Sequence, residues 1–413
     1  MATIKIIEKD IVSVNMDEPV LVDQAPGKPE DFPPYAVTEE AKRWGRYRMP
    51  KVYKMPDDTI ALTYSMSIDH YCDQGRNSPL FVSGDGGKTW EKCPWPHPGL
   101  SGMHPVVSQV FGGEYYTIPS RGGIRLDGYE KSASAELKIG SLPFAAHRMS
   151  DYPKEVADWY KNIKAMRWSP AAGWTQENAV WDHEGQYIWS YDDKPQNIPG
   201  HWGQSLYFEH PVIRCGDELF IADYWTQYEN ADGSLPKNWG SYLMVSGDNA
   251  RSWKRRSNIT PEYVSAAEPA LAQNHAGEFV CAIRSDSASL TGTAPTMYLM
   301  HSKDMGYTWD APKPVLGYGV FPQLLQLENG IMALSYGRAP GTWVSFSPDG
   351  GYSWTKPYAI LDEAGKASSC GYTSLLALGC DTFLLAYGDI HCKNREGEEC
   401  KSILVKKITV RPL

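Results

Sequence analysis

Long hydrophobic runs are missing from this chain, and no stretch is apolar enough to cross a membrane as a helix. Positive charge is also in deficit: Lys and Arg total 40 against 49 Asp and Glu, a formal net charge of −9. That balance argues against nucleic acid or an acidic membrane as a general partner, so an anionic ligand would need a local cluster of cations. Eight cysteines (72, 93, 215, 281, 370, 380, 392 and 400) are spread over 413 residues and follow no small-domain disulfide framework. Free thiols are the expectation. Cys392 and Cys400 beside His391 make one pair, which is too little for a zinc site. No cofactor signature occurs, and neither metal nor cofactor is expected. The opening residues Met1-Ala-Thr-Ile-Lys-Ile-Ile-Glu-Lys lack the apolar centre of a secretory leader. A cytoplasmic protein is expected, or a secreted one if a leader has been removed.

What the chain does contain is a repeat. Ser83-Gly-Asp85-Gly-Gly87-Lys-Thr89-Trp90 returns as Ser246-Gly-Asp248-Asn-Ala250-Arg-Ser252-Trp253, Ser302-Lys-Asp304-Met-Gly306-Tyr-Thr308-Trp309 and Ser347-Pro-Asp349-Gly-Gly351-Tyr-Ser353-Trp354. A worn copy stands at Ser169-Pro-Ala171-Ala-Gly173-Trp-Thr175. Asp accepting backbone N–H bonds and Gly supplying positive φ make a tight turn between strands. The closing Trp is expected to bury its ring between the two strands joined. The copies are 86, 77, 56 and 45 residues apart, spacing that suits one four-stranded sheet per unit with insertions in the earlier ones. The 15 Trp and 25 Tyr fit packed sheets.

Each unit begins with a recognisable residue: Arg48, His104, His210, Glu268, Phe321 and Tyr372, five of them with a proline just behind. Six starts predict a six-bladed, all-β propeller of four-stranded antiparallel blades, a single domain over residues 1–413. The lone strand Ile4 to Val14 would complete the last blade, and seven blades stay open if the long second unit divides. One insertion in the second unit is helical. Asp151-Tyr-Pro153 starts it, and Val156, Trp159, Tyr160 and Ile163 recur at helical spacing. It is either a lid or a flank element. Innermost strands converge on a propeller's axis, so the six leading residues face one another across a funnel. A cation, a carboxylate, a phenol and two imidazoles there are not the apolar filling that packing alone requires. Arg284 and Arg338, each at the end of a second strand, come within range. Guanidinium groups fork two donors at a carboxylate and are permanently charged.

With these residues in hand the chain resembles the sialidase superfamily nearly end to end. The recurring turn is similar to that family's Asp-box. Tyr47-Arg48-Met49-Pro50 resembles its Tyr/Phe-Arg-Ile-Pro signature, and Gly371-Tyr372-Thr373-Ser374-Leu375 resembles the segment bearing its tyrosine nucleophile. The resemblance implies an arginine triad (Arg48, Arg284, Arg338) holding a substrate carboxylate. It implies Glu268 as base to Tyr372, and Asp73 as acid/base. Asp69 and His70, in the same loop as Asp73, are rivals for that role. The chemistry is coherent. A 2-keto-acid glycoside carries a carboxylate on its anomeric carbon, which would repel a carboxylate nucleophile but not a tyrosine.

Two departures leave the sugar open. The run Leu62-Thr-Tyr64-Ser-Met66-Ser67 holds no acid where the family braces its first arginine, and Phe208-Glu209-His210-Pro211 replaces a Gly-Pro-Gly-type segment. Sialic acid, Kdn, Kdo-like acids and uronic acids all fit, with His104 and His210 on the far side of the sugar. The implied activity is a retaining exo-glycosidase releasing a terminal acidic sugar from a glycan or glycoconjugate. Two other classes stand beside it: a polysaccharide lyase using a His or Tyr base, and a catalytically inactive acidic-glycan-binding propeller.

Overall fold

A computed structural model of the chain describes residues 4–7, 10–25, 47–66, 78–102, 105–120, 123–129, 135–139, 142–192, 201–204, 206–285, 296–315, 319–337, 341–362 and 371–413. The architecture is all-β, built from successive antiparallel sheets. The first sheet runs in chain order through Arg48–Lys54, Ile60–Ser65, Leu80–Ser83 and Glu91–Cys93. The second comprises Ser108–Gln109, Tyr115–Thr117, Asn162–Ser169 and Gly173–Trp181; the third, Ile213–Cys215, Glu218–Asp223, Tyr242–Ser246 and Ser252–Asn258. These two are fused by a short parallel pairing of Val180–Trp181 with Ser252–Trp253. The fourth (Ala267–Gln273, Phe279–Ser285, Thr296–Ser302, Lys313–Val315) and fifth (Val320–Gln326, Met332–Gly337, Thr342–Ser347, Tyr358–Leu361) repeat the pattern. The sixth pairs Thr373–Ala377, Thr382–Lys393 and Glu399–Pro412. Val12–Met16 and Val20–Gln24 from the other end of the chain pair with its last strand, Val12 opposite Pro412. The start of the expected strand Ile4 to Val14 goes elsewhere, Lys5–Ile7 pairing in parallel with Ser353–Thr355.

Apolar clusters lie between consecutive sheets. Tyr53 and Leu80 meet Val107 between the first and second, and Phe220 and Leu243 meet Phe279 and Tyr298 between third and fourth. Val344 and Phe346 meet Phe383 and Leu385 between fifth and sixth, and Leu384 and Val405 of the sixth meet Val52, Leu62 and Phe81 of the first. Both faces of each sheet are covered. A middle strand such as Ile60–Ser65 is therefore buried at every position instead of alternating.

The recurring turns are locally satisfied. Asp85 Oδ1 accepts from the Lys88 and Thr89 amides at 2.9 and 3.0 Å, its Oδ2 from Thr89 Oγ1 at 2.6 Å, and Ser83 Oγ accepts from the Gly87 amide at 2.9 Å. Asp248, Asp304 and Asp349 repeat the hydroxyl contact at 2.6, 2.6 and 2.5 Å. The tryptophans do something the local pattern does not announce. They pack on the preceding sheet and not between the strands that they join. Trp253 of the third sheet lies against Trp181 of the second, Trp354 of the fifth packs into the fourth, and Trp90 of the first rests on the sixth. Trp309 Nε1 donates to Ser257 Oγ of the third sheet at 3.1 Å.

The insertion is larger than its helix. Helix α1, Lys154–Lys161, buries Val156 and Tyr160 against Leu126, Tyr152 and Ile188. That surface belongs to an additional sheet formed by Ile124–Arg125, Ala135–Ile139, Leu142–Arg148, Gln186–Asp192 and His201–Gly203, with Gln227–Tyr228 alongside. The helix therefore docks on a flank. Its companion strands are short and drawn from three separate stretches, so no single window of sequence contains their pattern.

Candidate active site

Three innermost strands open on the same irregularity. Pairing registers shift between Arg48 and Lys51, between Ala267 and Ala270, and between Val320 and Gln323. Inside each shift a non-glycine residue stands directly before proline with positive φ: Met49 at 55°, Glu268 at 53° and Phe321 at 48°. Proline already disfavours the α region for the residue before it, and the left-handed conformation costs on the order of 1–3 kcal/mol per residue. Strain repeated at equivalent positions of three sheets is held in place by what those residues contact. The bulge also sets the register of the ring. Arg48, Ala267 and Val320 are equivalent, pairing with Ser65, Arg284 and Gly337, so the position of Glu268 and Phe321 belongs in the first sheet to Met49. Arg48 sits one residue behind and is buried.

These bulged residues converge with Tyr372. Met49, Val320, Phe321 and Tyr372 form one apolar cluster, with the Phe321 and Tyr372 rings stacked at 4.2 Å and 12°. The Tyr372 hydroxyl donates to Glu268 Oε1. Arg284 Nη1 donates to the same oxygen at 3.0 Å, and the Phe321 amide donates to Oε2 at 2.8 Å. Both Glu268 oxygens are thus occupied, by a cation and a phenol on one side and a backbone N–H on the other. A carboxylate so held stays oriented toward the phenol and can accept its proton.

His210 joins from the third sheet's leading segment, its ring stacked on Phe321 at 4.9 Å. Its Nδ1 lies 3.2 Å from Gln323 Nε2, which can only donate, so Nδ1 is the acceptor and the proton resides on Nε2. Burial and the nearby Lys51 charge hold His210 well below the ordinary imidazole range. It is a neutral imidazole at physiological pH.

Beneath the couple lie two ionisable groups that composition and motif did not single out. Lys51 is 1 % exposed, its Nζ donating to the Glu209 carbonyl at 2.7 Å and resting 3.7 Å from the Phe321 ring centre. Burial lowers it to about 7, against the pull of Glu209 and Glu268. Glu209, accepting from Tyr207 Oη at 2.9 Å, is raised by burial to about 7, with Lys51 opposing. A signal existed for both. Lys51 is the single charge in Met49-Pro-Lys-Val-Tyr53, and Glu209 interrupts the aromatic run ahead of His210.

Of the sequence candidates, the structure brings together Glu268, Arg284, His210 and Tyr372, with Arg48 buried alongside on the first strand. Asp73, Asp69, His70, His104 and Arg338 lie outside the described residues. Among the described residues, no group of three or more His, Cys, Asp or Glu is arranged to hold a metal ion. Cys392 stands opposite Cys400 across the last hairpin, both as free thiols.

No family model and no curated protein matches this sequence. Solved structures do. A protein of unknown function from Dyadobacter fermentans superposes with a TM-score of 0.60 at 16% identity, covering 96% of this chain and 99% of its own. An alpha-L-arabinanase of Penicillium chrysogenum, solved with arabinobiose, reaches 0.53 at 13% identity over 95% and 98%. A Hadza microbial sialidase scores 0.49 at 16% identity, over 89% of this chain and 65% of its own. At such identities the likeness concerns the fold alone, an all-β fold that this chain shares with the arabinanase.

Proposed function

We propose that this chain is a six-bladed β-propeller and a retaining exo-glycosidase for a terminal acidic sugar. One observation carries the reading: the Tyr372 hydroxyl donates to a Glu268 carboxylate that Arg284 and the Phe321 amide hold in place. In the first step Glu268 takes the phenol proton as Tyr372 Oη bonds to the anomeric carbon. The glycosidic bond breaks, and its oxygen leaves with a proton from Asp73. In the second step Asp73 takes a proton from water, whose oxygen displaces Tyr372, and the phenolate recovers its proton from Glu268. Two inversions give net retention. Arg48, Arg284 and Arg338 would grip the carboxylate of the sugar, and His210, a neutral donor through Nε2, would face one of its hydroxyls.

A second reading follows from Glu209. Glu209, a buried carboxyl group raised to about 7 with Glu268 among the causes, brings a second acid to the site, and two-carboxylate glycosidases work with a pair of acids. An uncharged sugar, such as the arabinose units on which the Penicillium relative was solved, would suit that pair.

A panel of aryl glycosides separates the readings: sialosides, Kdn and Kdo glycosides, uronides and arabinofuranosides, with products followed by NMR. Retained configuration on an acidic sugar, abolished by Tyr372→Phe but not by Glu209→Gln, supports the first. Turnover of arabinofuranosides that depends on Glu209 supports the second. An unsaturated, ultraviolet-absorbing product from a uronide marks a lyase and overturns both.

A further inference from the structure

Lys51 has no part in the steps above, yet among the described residues no charged side chain is more completely enclosed. It stands on the innermost strand of the first sheet and pairs there with Thr63. Its hydrogen bond among the described residues goes to a carbonyl, that of Glu209, and no carboxylate pairs with it. Its other contact is Phe321, whose ring stacks on Tyr372 and whose amide holds Glu268 Oε2. One ammonium therefore touches the third sheet's leading segment and the residue that seats both members of the Tyr372–Glu268 couple.

We propose that Lys51 is a positioning residue for the Tyr372–Glu268 couple, acting through Phe321 and the Glu209 carbonyl without touching substrate. The inference rests on that couple being the reacting pair, but its test does not require turnover. A cation next to Phe321 is attracted to the face of the ring, and the same amine without its proton is not. Losing the charge relaxes the hold on Phe321. It also removes a positive charge that attracts the Glu268 carboxylate. Both changes alter the hydrogen bond that Tyr372 makes. The titratable and charged groups around Lys51 are Glu209, His210 and Tyr224 from the third sheet, Glu268 with Arg284 from the fourth, Tyr372 from the sixth, and Arg48 on its own strand. His210 stays neutral through the neutral range, while burial brings both Lys51 and Glu209 to about 7.

The experiment follows the Tyr372 ring carbon bearing the hydroxyl by NMR, in full-length protein labelled at tyrosine, with Tyr372→Phe assigning the signal. Wild-type protein should show an inflection near pH 7. In Lys51→Met the signal at pH 7 should stand at its high-pH position and in Lys51→Arg at its low-pH position. Any step left in either variant should be that of Glu209 and disappear when Glu209→Gln is added. In Glu209→Gln alone the wild-type inflection should persist at lower pH, because the acid that favours a charged Lys51 is gone. A role in packing alone would not send the Met and Arg variants to opposite limits. If either Lys51 variant keeps the inflection with Glu209→Gln added, or if Glu209→Gln alone abolishes it, the proposal fails. An inactive glycoside panel with these shifts intact would instead sink the glycosidase reading and leave the positioning role standing.

Discussion

The backbone amide of Phe321 donates to Oε2 of Glu268 at 2.8 Å, so a carboxylate from the fourth sheet is capped by the backbone of the fifth. Side-chain substitution at 321 leaves that bond available, which separates the acid's placement from its chemistry. Glu268→Gln should keep the Phe321 contact and lose the proton acceptor. The expected outcome is a fall in kcat of at least about 100-fold, with the melting temperature little changed. Turnover of the best panel substrate and a thermal melt check it.

Tyr372→Phe deletes one oxygen and keeps the ring that stacks on Phe321. The variant should fold as the wild type does. If Tyr372 is the nucleophile that we propose, the variant's turnover should fall by about 1000-fold or more, because the covalent intermediate is lost. A denatured, inactive covalent adduct at residue 372, trapped by mass spectrometry with a slow fluorinated substrate, should appear in wild type and be missing in the variant.

Trp253 is 1 % exposed and packs edge-on against Phe208 at 5.4 Å, bridging the second and third sheets. Trp253→Ala should cost about 3–5 kcal/mol in urea unfolding. The motif's third glycine gives a finer contrast. A Cβ on Gly306 would stand 2.0 Å from Leu243 Cδ2, whereas one on Gly247 meets nothing within 4 Å. Ala250 occupies the position equivalent to Gly306 with φ at 67°, so the neighbouring sheet and not the dihedral decides the outcome. Gly306→Ala should destabilise by about 1–3 kcal/mol and Gly247→Ala by little.

Acid should unfold the turns first. Hydrogen bonds from Thr308 hold Asp304 down at about 2, and the same arrangement lowers Asp85 and Asp248. A folded proton affinity below the unfolded one gives stability that is complete above about pH 4 and is lost as pH falls toward 2. Replacing Asp304 by Ala should flatten that part of the stability curve, while activity in the folded protein at neutral pH stays unchanged. Loss of turnover in folded Asp304→Ala would mean that the turns serve the site directly.

Lys51 and Glu209 should act at the other end of the scale. Lys51 is about 7 when folded and 10.5 when free, so the unfolded chain binds more protons in that range and stability rises with pH. Glu209 runs from 4.5 free to about 7 folded, so there the folded chain binds more protons and stability falls as pH rises. Together they produce a minimum near pH 7. Unfolding free energies measured across this range should show it, and Lys51→Met should remove the rising alkaline limb.

How much of this was legible follows from range. Each turn's aspartate, glycine and hydroxyl residue bond within five positions of one another, so the motif could be read from any copy alone. Six unit starts, and the identities of Glu268, Arg284 and Tyr372, were equally open to inspection because each stands at a repeated place in its unit. The partners were not. Tyr372 and Glu268 are 104 residues apart, and Lys51 meets Glu209 across 158. Pairing registers moved the leading position from Arg48 to Met49, since a bulge is a property of two strands and not of one. The sequence by itself determined the repeated turn and the residue types gathered at the strand starts, because both depend on neighbours in the chain. Only the tertiary structure decided that each turn's tryptophan braces the preceding sheet and that Lys51 and Glu209 are buried against each other. Burial and distant charges act through space, and they are set only once the sheets have packed.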